Sequence, residues 1–170
     1  MNKYKVTILI DPNNSWIKKF SKNINYNKKK YFIKFENIEN KVINQDVVLV
    51  LSYTKILKEK FLKKNKLVLI AHPSDLPKDR GFAPVQNQIL KNKRKICFSL
   101  IKAVKKVDAG PICLKISFFL DGLELYEDMR IKQGKAAIKL IEKFLNKYPK
   151  IKFKDQIGKS NYNKRRTNKD

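Results

Sequence analysis

The stretch KLVLIAHPSDLPKDRGFAPVQNQIL, residues 66–90, decides the fold. It runs from a continuous apolar segment into a proline-punctuated loop and then into a segment of helical character. A run apolar at every position, such as 67–71, is expected of a strand covered by helices on both faces, because a strand with one wet face alternates. This strand delivers His72, the single histidine of the chain, to its carboxyl end. In open α/β sheets that edge is where loops hold side chains against a ligand.

The same grammar extends in both directions. Residues 5–10 read as a strand stopped by Asp11 and Pro12, with Ser15 as a helix cap before WIKKF. Residues 31–35 form a second strand and 46–52 a third, a near-continuous apolar run. Thr54 is expected to cap a helix carrying Ile56, Leu57, Phe61 and Leu62 on one side. Beyond the proline loop, 83–90 reads as a helix, and 96–104 and 112–120 as strands joined through KKVDAGP. From about 123 to 146 the spacing of Tyr126, Met129, Gln133, Ala137, Leu140, Ile141 and Phe144 predicts a long amphipathic helix. Gly134 within it costs about 1 kcal/mol relative to Ala, so packing must supply the deficit. Strands alternating with helices predict an α/β fold with a mostly parallel central sheet of about six strands and helices on both faces.

At 170 residues with 42% apolar content, the chain is long enough for one core. We expect a catalytic domain over 1–150 and a basic arm over 151–170, the latter either disordered or ordered over a site. No apolar block approaches the roughly 20 residues needed to cross a bilayer, and the N-terminus lacks a cleavage signature. The expectation is a soluble cytoplasmic protein without a membrane partner. Cys97 and Cys113 lack metal or redox spacing and read as small core residues, so no metal site is expected. The net charge of +25 points to an anionic partner. Lysine is spread over nearly every segment, as in an AT-rich genome, so most of this charge is read as solvated surface and nucleic acid as the weaker partner.

Asp108 lies in the turn between the last two strands, before Gly110 and Pro111. A carboxylate beside His72 would fix the ring and suit it to take and give a proton near neutral pH.

The joint pattern HPSDLPKDRGFAPVQNQIL followed by DAGPI resembles the folate-dependent formyltransferase family, with LVLSYTKIL similar to its tyrosine-bearing segment over the folate pocket. NSWI at 14–17, HPSDLP at 72–77 and the terminal NYNKRRTNKD resemble the sugar N-formyltransferases of the pseudaminic acid pathway type. The resemblance implies a Rossmann-like formyltransferase fold. It also implies transfer of a formyl group from 10-formyltetrahydrofolate to the amino group of a nucleotide-linked 4-amino-4,6-dideoxy sugar. It makes His72, Asp108 and Ser74 the catalytic candidates and Ser52, Tyr53, Val107, Asp108 and Gly110 the folate-binding ones. Lys78, Arg80, Gly81, Tyr162, Arg165 and Arg166 are the candidates for the nucleotide sugar, and Gln156 and Tyr162 belong to the resembling end sequence. A homodimer is compatible with this reading.

One position departs from the family pattern. Where the family carries an oxyanion-donating asparagine two residues before the histidine, this chain has Ile70, which cannot donate. Loss of one such donor is worth about 10²- to 10³-fold elsewhere. Two alternatives therefore stand beside the sugar enzyme. One is a formyltransferase acting on another amine such as methionyl-tRNA, although a second β-barrel domain of the tRNA enzymes is not expected in these residues. The other is a non-catalytic basic binding module of the same fold.

Overall fold

The computed structural model describes residues 2–165. A six-stranded sheet runs through it in the order β2-β1-β3-β4-β6-β7. The strands are β1 (Tyr4–Ile10), β2 (Tyr31–Glu36), β3 (Val47–Leu51), β4 (Val68–His72), β6 (Lys95–Lys102) and β7 (Ile112–Phe119). The first four in that order pair parallel, and β6 and β7 join antiparallel. A two-stranded parallel ribbon pairs β5 (Arg80–Gly81) with β8 (Tyr162–Asn163).

Both faces of the sheet are covered, which is why β3, VVLVL, is buried at all five positions. On one face Val6, Ile8, Leu49, Leu51 and Leu69 pack with Leu140, Ile141 and Phe144 of the long helix α4 (Tyr126–Lys147). On the other Leu9, Val48, Val50 and Val68 pack with Phe61 of α2 (Glu59–Lys63). Period 2 thus sorts each strand between two cores. Ile70 and His72, two residues apart, share a face of β4. Glu127 and Asp128 occupy the first turn of α4, where the Asp128 carboxylate accepts the Leu125 N–H at 3.1 Å and complements the helix dipole. Gly134 has a steric reason: a Cβ there would lie 2.3 Å from the Phe20 ring.

Two helix starts differ from expectation. Residues 12–17 form a 3-10 turn with a kink at Asn14, before the short α1 (Lys18–Ser21), whose start carries no side-chain cap. Thr54 does not cap α2, because the helix begins only at Glu59 with Lys58 at the cap position, and its N–H and hydroxyl both donate to the buried Asp11 carboxylate. The carboxylate just after β1 thus fixes Thr54 in the loop that follows β3. Among the described residues no helix is long and apolar enough to cross a membrane.

Candidate active site

The carboxyl ends of β3, β4 and β6, with the turn that follows β1, line a cavity of about 310 Å³, the size range of small-ligand pockets. His72 stands at its wall, 6% exposed. Its Nε2 lies 2.9 Å from the main-chain oxygen of Asp79. A carbonyl only accepts, so this bond requires the proton on Nε2 and leaves Nδ1 as the basic nitrogen of the neutral ring. Nδ1 lies 3.5 Å from Oδ2 of Asp108, an ion-pairing distance once the ring is protonated. Asp108 is itself oriented by the Gly81 N–H, which donates to the same oxygen at 2.9 Å. The arrangement can take a proton at Nδ1 and balance the resulting charge.

Non-glycine residues with left-handed backbone gather here: Ser52, Asp79, Ala83 and Asp108 all have φ between 46° and 57°. Such conformations cost energy and persist only where surrounding contacts impose them, a mark of functional loops. Ser52 is held by Asn14, whose side-chain amide donates to its carbonyl at 2.7 Å. Burial, together with a 3.0 Å hydrogen bond from its hydroxyl to Glu39, pushes the Tyr53 phenol up to about 12.

All five folate candidates, Ser52, Tyr53, Val107, Asp108 and Gly110, line the cavity. Gly110 is required by close approach, since a Cβ would meet the Lys102 carbonyl at 1.7 Å. Ser74 is not brought to the cavity. It is fully buried and its hydroxyl donates to the Lys78 carbonyl at 2.8 Å, which makes it a loop-shaping residue rather than an oxyanion donor. Ile70 lines the cavity at the position of the missing asparagine.

Of the remaining candidates, Gly81 and Tyr162 line the cavity and Lys78, Arg80 and Arg165 do not. Lys78 is exposed, and the Arg165 guanidinium lies over the Phe82 ring. Arg80 donates to Gln156 at 2.6 Å, and the Gln156 amide donates to the carbonyls of Asp108 and Gly110, each at 2.8 Å. Arg80 thus ties the arm to the site. Arg166 lies outside the described residues. The arm is ordered as far as it is described: β8 pairs with β5, and the N–H groups of Arg80 and Phe82 donate to Asn161 and Asn163. Gly81, at φ 88°, permits this, because a Cβ would lie 2.4 Å from the Asn163 oxygen.

Sequence reasoning missed the buried Asp79 with its partners and the cationic wall of Lys55, Lys102, Lys105 and Arg130, against which Asp108 is the one acidic lining residue among the described residues. Burial opposes ionisation of Asp79, yet hydrogen bonds from Lys91, Asn161, Asn163 and Lys93 outweigh it and pull its carboxyl down to about 2. The only hint in sequence is an acidic residue between Lys78 and Arg80.

Comparison with known proteins adds the context of family. A formyl transferase family model matches residues 7–136. The methionyl-tRNA formyltransferase of Thermotoga neapolitana is 35% identical over 106 residues, 62% of this chain and 34% of that enzyme. The chain therefore spans about a third of the length of this curated relative. Among solved structures, methionyl-tRNA formyltransferase from Clostridium thermocellum superposes with a TM-score of 0.79 at 23% identity, over 96% of this chain and 73% of that one. A 4-N formyltransferase from Francisella tularensis superposes with a TM-score of 0.72 at 16% identity, over 94% and 76%. At these identities the structural likeness is one of fold.

Proposed function

The chain belongs to the formyl transferase family, and on that premise we propose that it is an N-formyltransferase using 10-formyltetrahydrofolate, with His72 as its proton-transfer group. The observation that carries this reading is the His72–Asp108 pair at the wall of a largely apolar cavity that is also lined by Ser52 and Tyr53, just beyond the end of β3. The fit of a folate rests on the cavity's size, its apolar lining of Val50, Leu51, Ile101 and Val104, and its cationic wall toward a carboxylate-bearing ligand. Bound there, the folate would supply the formyl group as an activated carbonyl with a folate nitrogen as leaving group. His72 takes the proton from the attacking amine at Nδ1 while Nε2 stays anchored, and Asp108 balances the imidazolium. With Nε2 held by the Asp79 carbonyl and Nδ1 facing Asp108, the ring has no further N–H to offer the oxyanion, and the proton it has taken would pass to the departing folate nitrogen.

For the acceptor we favour the amino group of a nucleotide-linked 4-amino-4,6-dideoxy sugar. The support is the arm 151–170, whose Gln156 and Tyr162 lie at the site and whose sequence resembles that of the sugar enzymes. The domain over 1–150 would then supply the chemistry and the arm part of the acceptor pocket. A second reading, an aminoacyl-tRNA amine, is favoured by the 35% identity to a tRNA enzyme. Incubating the protein with 10-formyltetrahydrofolate and each acceptor, with mass spectrometry of the products, separates the two. Formylated nucleotide sugar with untouched methionyl-tRNA supports the first and the converse the second; no transfer to any amine would reject the enzymatic reading.

A further inference from the structure

Asp79 is 1% exposed, yet it carries a carboxylate on which four side chains converge. Lys91 and Lys93, at and just beyond the end of α3 (Pro84–Leu90), reach it from one direction, Lys93 at 3.3 Å. Asn161 and Asn163 of the arm reach it from the other at 3.3 and 3.4 Å. Its own N–H donates to Asn161 Oδ1 at 2.9 Å. Its main-chain oxygen accepts from His72 Nε2. One residue thus touches the helix end, the arm and the imidazole.

We propose that Asp79 is a positioning residue whose side chain locks the arm to the proline loop while its main-chain oxygen fixes the His72 ring, so that arm docking and imidazole orientation are one event. A buried carboxylate is tolerable only with its donors in place. Asp79 also holds a left-handed backbone, φ 57°, a conformation unfavourable for an L-residue and sustained by those contacts. Without them the loop relaxes, the carbonyl turns away from Nε2, and the ring loses the bond that keeps Nδ1 as its basic nitrogen. The consequence for catalysis rests on the reading of His72 as the proton-transfer group; the mechanical coupling does not.

The experiment exploits the single histidine, because ¹⁵N-histidine labelling of the full chain reports one imidazole. Asp79→Gly removes the carboxylate while tolerating the left-handed backbone. We expect the Nε2 proton to exchange at least tenfold faster than in the wild type and the Arg80 and Phe82 amides to lose at least tenfold protection. On a confirmed acceptor, kcat should fall about tenfold or more with the KM for folate little changed. The Asn161→Ala/Asn163→Ala double variant leaves Asp79 intact, and it should produce the same paired loss even if Asp79→Gly fails to fold. Loosened amides with wild-type Nε2 exchange, in either variant, would reduce Asp79 to a structural staple and overturn the proposal, as would no change in both. The ring and amide signals need no substrate. A chain that transfers no formyl group would therefore sink the reading of the reaction, while these signals still decide the coupling.

Discussion

Nδ1 of His72 stands 3.5 Å from Oδ2 of Asp108, although 35 residues and two strand ends separate them in the chain. The pair is assembled by β4, which presents the ring, and by the turn after β6, which returns the carboxylate to the same edge. Replacing His72 by Asn preserves hydrogen bonding but removes the proton-transfer function. The rate of formyl transfer should drop about 10²- to 10⁴-fold with thermal unfolding nearly unchanged. Asp108→Asn should come close to that loss. Rates near wild type in either variant, on a confirmed acceptor, would refute the catalytic pairing.

Ile70 occupies the cavity wall on the His72 face of β4. Ile70→Asn adds a donor where the resembling family carries one, and kcat should rise by about tenfold or more, within the roughly 10²- to 10³-fold range attached to such donors. Loss of apolar packing against the α2 side lowers stability at the same time. A fall in kcat with retained folding would show that the oxyanion is not stabilised from this position.

Gly134→Ala should destabilise the protein although alanine is the better helix former. The propensity gain is about 1 kcal/mol, but the added Cβ meets the Phe20 ring at 2.3 Å, and overpacking of this kind costs about 1–3 kcal/mol. Urea unfolding of the variant gives the sign directly. A stabilised variant would mean that the ring shifts freely.

The folded-state carboxyl of Asp79, at about 2, sits below its ordinary value of 3.8. A depressed acid contributes stability above the unfolded value and loses it as pH falls through the folded one, here between about pH 4 and pH 2. A downward shift of this size is worth on the order of 2 kcal/mol at neutral pH. Asp79→Asn should therefore be less stable than the wild type at pH 7, by an amount of this order, with the gap closing in that acid window. Denaturant titrations at pH 7 and pH 3 test this, and a gap independent of pH would contradict the assignment.

Gly81→Ala should unseat the arm, since β8 lies against the space a Cβ would fill and the backbone is left-handed. With Tyr162 displaced from the cavity the KM for the nucleotide sugar should rise, and with the coupling of the arm to the His72 ring broken kcat should fall about tenfold as well. Truncation after Pro149 should act in the same direction. Unchanged KM in both, at two salt concentrations, would remove the arm from the acceptor site.

The sequence by itself determined the class of the sheet, mostly parallel with both faces covered, and placed the single histidine at a strand end. Uninterrupted apolar runs at 47–51 and 67–71 can be buried only between two layers of helices, and His72 at the end of one of them is placed by strand geometry alone. Local competition was not legible. Thr54 has the residue type of a cap, yet Asp11, distant in sequence, takes its donors, and Ser74 has the hydroxyl of a catalytic residue, yet spends it on the Lys78 carbonyl. Nor could sequence say whether the basic arm is ordered. That was decided by Gly81, whose missing side chain admits β8, and by Asp79, whose buried charge gathers partners from residues 91 to 163. Periodicity records which side of an element is dry. Only the tertiary structure brings a buried donor or carboxylate to the particular groups that must satisfy it, because those partners come from anywhere in the chain.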